Sequence, residues 1–161
     1  MKKYVLGYLL RGEEILLIYK KRGLGEGLYN GFGGKIEVGE NSLRALIRES
    51  KEEIGVIPIE FERVARLYFF DDVGVEMAGD VFFITKWEGE IVESDEAKPQ
   101  WFKISQIPYD KMWEDDKIWL PLVLQGKRIT GKFYFDDLYS DSPKLKGYTI
   151  KERILEEMFQ M

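Results

Sequence analysis

Apolar positions near the N-terminus fall in two short runs, Tyr4–Leu10 and Ile15–Tyr19, parted by the polar Arg11-Gly12-Glu13-Glu14. Runs of that length joined by a glycine-bearing polar turn predict a β-hairpin. The next stretch, Gly23 to Gly34, has no periodicity and is dense in glycine, which predicts a loop. From Asn41 to Ile54 the pattern switches to a helical period, with Asn41 or Ser42 placed to cap the start and Gly55 to close the end. Glu60–Phe70 and Asp80–Trp87 are rich in aromatic and β-branched residues and read as strands linked by the acidic, glycine-bearing Asp71–Gly79. Beyond a polar loop, Ile91–Lys98, come a short strand at Gln100–Ile104 and a helix at Asp115–Gln125 in which Pro121 predicts a kink or break. A hairpin-like stretch at Lys127–Phe135 and a charged helix near Thr149–Gln160 complete the pattern. No repeat, low-complexity tract or linker interrupts it, so the expectation is one α/β domain over residues 1–161.

The helix at Asn41–Ile54 carries the most information. At about 100° per residue, Leu43, Leu46, Ile47, Ser50 and Ile54 share one sector and predict the core-facing stripe. Glu49, Glu52 and Glu53 share another, at spacings that make the carboxylates neighbours. They crowd the end of the helix where the macrodipole disfavours anions. A solvated acidic face is the plain reading of such a cluster. The glycine-rich loop just before it favours another, because a divalent cation turns the repulsion into binding energy and glycines let backbone approach a phosphate or metal.

Composition narrows the chemistry. The 161 residues include no Cys and no His, which excludes disulfides, thiolate nucleophiles, Ser-His-Asp catalysis and zinc–sulfur sites. Metal chemistry must then use oxygen ligands, which favour Mg²⁺ with Mn²⁺ as a substitute. A net charge of −5 argues against a nucleic-acid polymer as partner but not against a small anionic substrate. Lys2-Lys3 ahead of Tyr4–Leu10 lacks the length and cleavage pattern of a signal peptide, and no apolar run approaches a membrane span, so a cytoplasmic protein without membrane attachment is expected.

From Gly34 the chain reads Gly, five residues, Glu40, seven residues, Arg48-Glu49, two residues, Glu52-Glu53, one residue, Gly55-Val56. This resembles the Nudix box, the signature of hydrolases that cleave nucleoside diphosphates linked to another group. Ser50 departs from the pattern, which usually has an aliphatic residue there, and a local packing adjustment is the expected consequence. The resemblance implies a Nudix fold: an α/β/α sandwich with a mixed β-sheet and a catalytic loop–helix–loop. It implies that Glu49, Glu52 and Glu53 hold Mg²⁺ with help from a Gly33 or Gly34 carbonyl, that Arg48 orients a glutamate, and that a carboxylate deprotonates a metal-bound water for attack on phosphorus.

Similarity continues outside the box, in Lys20-Lys21-Arg22-Gly23, Tyr29–Gly34, Val92–Glu96, Trp101-Phe102, Gln106-Ile107-Pro108 and Met112–Asp116. These stretches resemble the oxidised purine nucleoside triphosphatase branch (8-oxo-dGTP diphosphatase, MutT-like). By that resemblance Asn30, Asp115 and Asp116 read the purine edge, Trp113 stacks on the ring, Lys20 lies near the phosphates and Glu96 is an additional acid near the metals. Adjacent carboxylates in an apolar pocket share a proton, so one donates and one accepts. Plain structural readings stand beside these. Asp115-Asp116 fit a helix cap, Trp113 and Trp101 fit core aromatics, Asn30 fits a turn and Lys20 fits a strand-end surface charge. Leu24, Tyr29 and Val5 depart from the branch at pocket positions, and 136–161 is longer and more charged than the branch suggests. The expected function is hydrolysis of oxidised purine (deoxy)nucleoside triphosphates to monophosphate and pyrophosphate by a monomer or small homo-oligomer. A Nudix hydrolase of ADP-ribose, a nucleotide sugar or an ordinary NTP is the alternative, as is a non-catalytic nucleotide-sensing module.

Overall fold

The computed structural model describes residues 1–161. Strands β1 (Lys2–Arg11), β2 (Glu14–Lys20), β3 (Tyr29–Asn30) and β4 (Phe32–Lys35) precede helix α1 (Ser42–Ile54). Then follow β5 (Ile57–Asp71), β6 (Glu76–Glu88), β7 (Ala97–Lys103), α2 (Asp116–Leu124), β8 (Arg128–Phe135), β9 (Leu145–Arg153) and a short α3 (Leu155–Phe159). The strands lie in the order β3-β2-β1-β6-β5-β8-β9, with β4 added to β1 and β7 to β2. Pairs β1·β6 and β5·β8 are parallel and the rest antiparallel, so the sheet is mixed as expected.

Alternation along β1 explains the layering. Val5 and Leu9 point to one face of the sheet, where they join Ala45, Leu46 and Ile54 of α1, while Tyr8 points to the other and joins Trp119, Leu120 and Val123 of α2. One helix therefore covers each face, giving the expected α/β/α order. No helix is long and apolar enough to cross a membrane.

Several elements differ from the sequence expectation. Thr149–Gln160 is not one helix: residues through Arg153 extend β9, and only Leu155–Phe159 is helical. Cross-strand pairing of Tyr148 with Phe133 and of Ile150 with Gly131 outweighs the weak helical pattern there. Lys127–Phe135 is not itself a hairpin; Arg128–Phe135 is one strand with β5 on one side and β9 on the other. The link Asp71–Gly79 shrinks to a tight turn, because β6 already begins at Glu76 and Asp71 Oδ1 accepts from the backbone of Val73 and Val75. Helix α2 runs through Pro121 as one element.

Helix α1 has its predicted caps: Asn41 Oδ1 accepts from the Arg44 amide at 2.9 Å, and Gly55 takes φ 78°. Its buried face is not the predicted stripe. Leu43 and Ile47 are exposed, and the buried residues are Ala45, Leu46, Glu49, Ser50, Glu53 and Ile54. The buried sector is rotated by about 60° toward the glutamates. Ser50 is tolerated at full burial because its hydroxyl donates to the Val56 carbonyl at 2.9 Å, tying the helix end to the chain that follows.

Candidate active site

The rotation of α1 presses its glutamates against the glycine-rich loop. The Gly33 amide donates to Glu53 Oε2 at 2.7 Å. Beside it, a Cβ placed on Gly34 would come within 2.7 Å of the Glu49 carboxyl carbon, and one on Gly33 would strike the Val5 carbonyl of β1. Both glycines are therefore required by close approach, Gly33 to the strand and Gly34 to the acid. Arg48 binds around the rim. It donates to both Glu40 oxygens at 2.7 and 2.9 Å, to Glu49 Oε1 at 2.8 Å, to Glu52 Oε2 at 3.3 Å and to the Lys35 carbonyl at 3.1 Å. The Arg48 hydrogen bonds hold the Glu40 carboxyl down at about 2. The motif contains Glu40, but its part as the main anchor of Arg48 was not legible from spacing.

Glu53 is in a different environment. Burial pushes its carboxyl up to about 8, against the pull of Lys20, whose ammonium lies 4.0 Å from Oε1. Oε1 is buried and has no hydrogen-bond partner. An orphaned carboxylate oxygen beside a second buried glutamate is the donor set that a hard divalent cation takes up. The residues present thus fit such an ion at Glu49 and Glu53, although no three acidic side chains are gathered closely enough to cage one. Glu52 is largely exposed and held by Arg48. Glu96 forms an exposed ion pair with Arg22 at 3.5 Å.

Gly33, Gly34 and Lys20 also line a cavity of about 300 Å³ that continues to Asn30, Trp113, Asp115 and Asp116. Seven of the predicted site residues meet there. The cavity walls are otherwise apolar: Tyr4, Val5, Leu6, Leu24, Phe69 and Met77. Val5 and Leu24, two positions that depart from the branch, are in the wall. The third, Tyr29, packs edge-on against Phe102 at 5.2 Å and does not line the cavity.

Asp115 and Asp116 are almost fully buried. Asp115 occupies the cap position of α2 but makes no capping bond; its Oδ2 instead accepts from Trp119 Nε1 at 2.8 Å. The capping alternative therefore gives way to a pair fixed from behind by an indole. Trp119 escaped the sequence reading, although its i+4 spacing from Asp115 was the available signal. Burial raises the Asp115 carboxyl to about 6. Asp116 is raised further still, by burial first and then by the charge of Asp115. Asp115 Oδ1, Asp116 Oδ2 and Trp113 Nε1 have no partner inside the protein. Trp113 meets Phe135 edge-on at 5.7 Å, and Trp101, half-buried on β7, packs near Trp87 under the Arg11 guanidinium.

The chain is similar to known proteins over most of its length. The chain is 42% identical over 136 residues to an oxidized purine nucleoside triphosphate hydrolase of Danio rerio, covering 83% of this chain and 86% of that one. It is 40% identical over 151 residues to the oxidized purine nucleoside triphosphate hydrolase of Mus musculus, covering 92% and 94%. The crystal structure of a mutator MutT protein from Bacillus halodurans superposes with a TM-score of 0.81 at 26% identity, covering 93% of this chain and 97% of that chain. The NUDIX domain profile matches residues 2–123, and with the box glutamates seated on their glycine loop this chain belongs to the Nudix family.

Proposed function

We propose that the protein is a pyrophosphohydrolase of oxidised purine nucleoside triphosphates such as 8-oxo-dGTP, releasing the monophosphate and pyrophosphate. The observation that carries this reading is the distribution of unpaired polar atoms. Six buried side-chain N or O atoms have no partner, and three of them, on Trp113, Asp115 and Asp116, lie along one apolar cavity, with a fourth, on Glu53, beside its lining residue Lys20. Unpaired buried groups cost about 1–3 kcal/mol each, so a ligand that satisfies them is strongly favoured. The relatives from Danio rerio and Mus musculus, whose names give oxidised purine triphosphates as substrate, support the same choice.

The two ends of the cavity divide the work. At the base end the raised proton affinity of Asp116 leaves it a neutral donor while Asp115, held by Trp119, is the better acceptor. A donor and an acceptor side by side match the edge of an oxidised purine, whose tautomer differs from that of the parent base. Asn30 adds an amide to that edge and Trp113 a ring face for stacking. At the other end Lys20 neutralises phosphate charge, and Glu53 Oε1 is free to take a ligand or a proton. Nudix hydrolases use a divalent metal; Mg²⁺ held by Glu49 and Glu53, with Glu52 and a Gly33 or Gly34 carbonyl as further oxygen donors, would supply charge neutralisation and acidify water. Arg48 positions Glu49 through its anchor on Glu40.

Steady-state hydrolysis of 8-oxo-dGTP, 2-hydroxy-dATP, dGTP and ADP-ribose under Mg²⁺ tests the assignment. The expected result is a kcat/KM at least tenfold higher for one of the oxidised nucleotides than for dGTP. Equal rates on dGTP, or a preference for ADP-ribose, would overturn the substrate.

A further inference from the structure

The outer end of the sheet carries a groove of about 660 Å³ that shares no lining residue with the cavity of Asp115 and Asp116. Register explains where it lies. Val5 of β1, which packs with α1, stands in one row of the sheet with Asp80 of β6, Arg66 of β5, Thr130 of β8 and Lys151 of β9. Alternation from that row puts Tyr68, Phe70, Lys132, Thr149 and Arg153 on the same face. Neighbours on β5 therefore part company: Phe69 lines the cavity and Phe70 the groove. Four cations line the groove, Arg66, Lys132, Lys151 and Arg153, and no acid does. In a chain of net charge −5 this is a local reversal of sign. Both guanidiniums are already fixed. Arg66 binds Asp80 through Nε at 2.7 Å and Nη2 at 3.3 Å, and Arg153 donates from Nε to Thr130 Oγ1 at 3.1 Å and from Nη1 to Glu157 at 3.0 Å. Each keeps one terminal nitrogen without a partner. Lys132 and Lys151 are exposed and make no ion pair.

The groove is polarised along β5. At one end Phe70 stacks on Tyr134, its partner in the row, at 5.4 Å with the ring planes 20° apart. Tyr68, Lys132 and Thr149 form the next row, Arg66, Thr130 and Lys151 the one after, and Arg153 lies beyond. About 13 Å of strand separates Arg66 from Phe70. We propose that this groove binds a nucleoside di- or triphosphate, its base at the aromatic end against Phe70 and Tyr68 and its phosphates on Arg66, Lys151 and Arg153. It is a second nucleotide site, on other residues than those of the cavity, and its occupancy does not depend on which nucleotide the cavity takes. A guanidinium already held in place, with a nitrogen to spare, meets a phosphate oxygen with little further loss of side-chain freedom. A single nucleic-acid strand is a poorer match, because it needs cations tracking the backbone with rings interleaved for successive bases. Here the rings stand at one end and most of the charge at the other, which suits one base and one phosphate chain.

The test is an amide ¹H–¹⁵N titration of the full chain with ADP, inorganic pyrophosphate and octathymidylate in turn. Wild type is compared with the double variant Lys132→Glu, Lys151→Glu, whose changes are both at exposed positions. ADP is expected to give saturable shifts at Tyr68, Phe70, Lys132, Thr149 and Lys151. The charge-reversed protein should bind it about tenfold or more weakly at these amides. Its turnover of nucleotide in the cavity should stay within about twofold of wild type, because neither lysine lines that cavity. Shifts confined to the cavity residues, or equal groove binding by the double variant, would overturn the site. Pyrophosphate that binds as tightly as ADP without moving Tyr68 and Phe70 would overturn the nucleoside part. Octathymidylate that binds more than tenfold tighter than ADP would overturn the single nucleotide as occupant in favour of a strand.

Discussion

Asp116 shows at the scale of one residue what a buried carboxyl costs in stability. Its carboxyl is buried against that of Asp115, and both hold protons more tightly in the folded chain than the usual value of 3.8. The unfolded chain therefore loses these protons first as pH rises. Above about pH 4 the folded state binds more protons than the unfolded one, and stability falls as pH climbs through about 6, where Asp115 titrates, and on while Asp116 keeps its proton. Asp116→Asn removes the larger part of that penalty. The expected outcome is a clear gain in unfolding free energy at pH 7.5, little gain at pH 4.5, and loss of discrimination between oxidised and normal purine. Denaturant unfolding at the two pH values with the substrate panel checks this. A variant that is no more stable at pH 7.5 than at pH 4.5, relative to wild type, would contradict the burial argument. The two acids stood out in the sequence as a pair. Their partner Trp119 did not, because a tryptophan in an apolar helix reads as core even at i+4 from Asp115.

At the scale of elements, α1 and the loop before it bring the glutamates onto the glycine backbone. Capping and length were legible from Asn41 and Gly55, since those signals are local. The buried sector was not, because hydrophobicity alone assigned Leu43 and Ile47 to the core. Tertiary contact instead pulls Glu49 and Glu53 inward onto Gly34 and Gly33, where glycine leaves room and the Gly33 amide offers a partner. Two substitutions probe this seat. Gly34→Ala places a methyl within 2.7 Å of the Glu49 carboxyl carbon, so the acid must shift. Displacement on that scale is expected to cost about 10²-fold in kcat with the fold retained by circular dichroism. Arg48→Lys gives up the two-pronged grip on Glu40 while keeping the charge. A fall in kcat with KM nearly unchanged is expected, since Arg48 positions Glu49 rather than touching the base. Full activity in either variant would show that the carboxylates do not depend on this seat. The same competition between local and tertiary forces explains β9, whose strand pairing with β8 was invisible to a pattern that looked helical.

Across the whole molecule, order along the chain was readable and order in space was not. The parallel pairing of β1 with β6 and of β5 with β8 joins segments far apart in sequence, and no local pattern encodes it. That pairing sets the cavity: β1 supplies Tyr4, Val5 and Leu6, β6 supplies Met77, Ala78 and Gly79, and the loop before α2 closes the end. The absence of His and Cys also becomes a property of the assembled site. Glu40, Glu49, Glu52 and Glu53 surround two cations, Arg48 and Lys20, leaving an excess of negative charge around a buried oxygen without a partner. A bound divalent ion stabilises only the folded chain, because the unfolded chain does not bring these residues together. At a hundred times its dissociation constant the gain is about 2.7 kcal/mol. For a domain of this size that corresponds to a rise in Tm of roughly 5–10 °C. Mg²⁺ should therefore raise Tm, EDTA should reverse the rise, and Glu53→Gln should both blunt it and lower kcat by about 10²–10⁴-fold. If Tm stays fixed at Mg²⁺ concentrations that saturate activity, the ion enters only with the substrate, and the glutamates act on a phosphate-bound metal instead of a resident one.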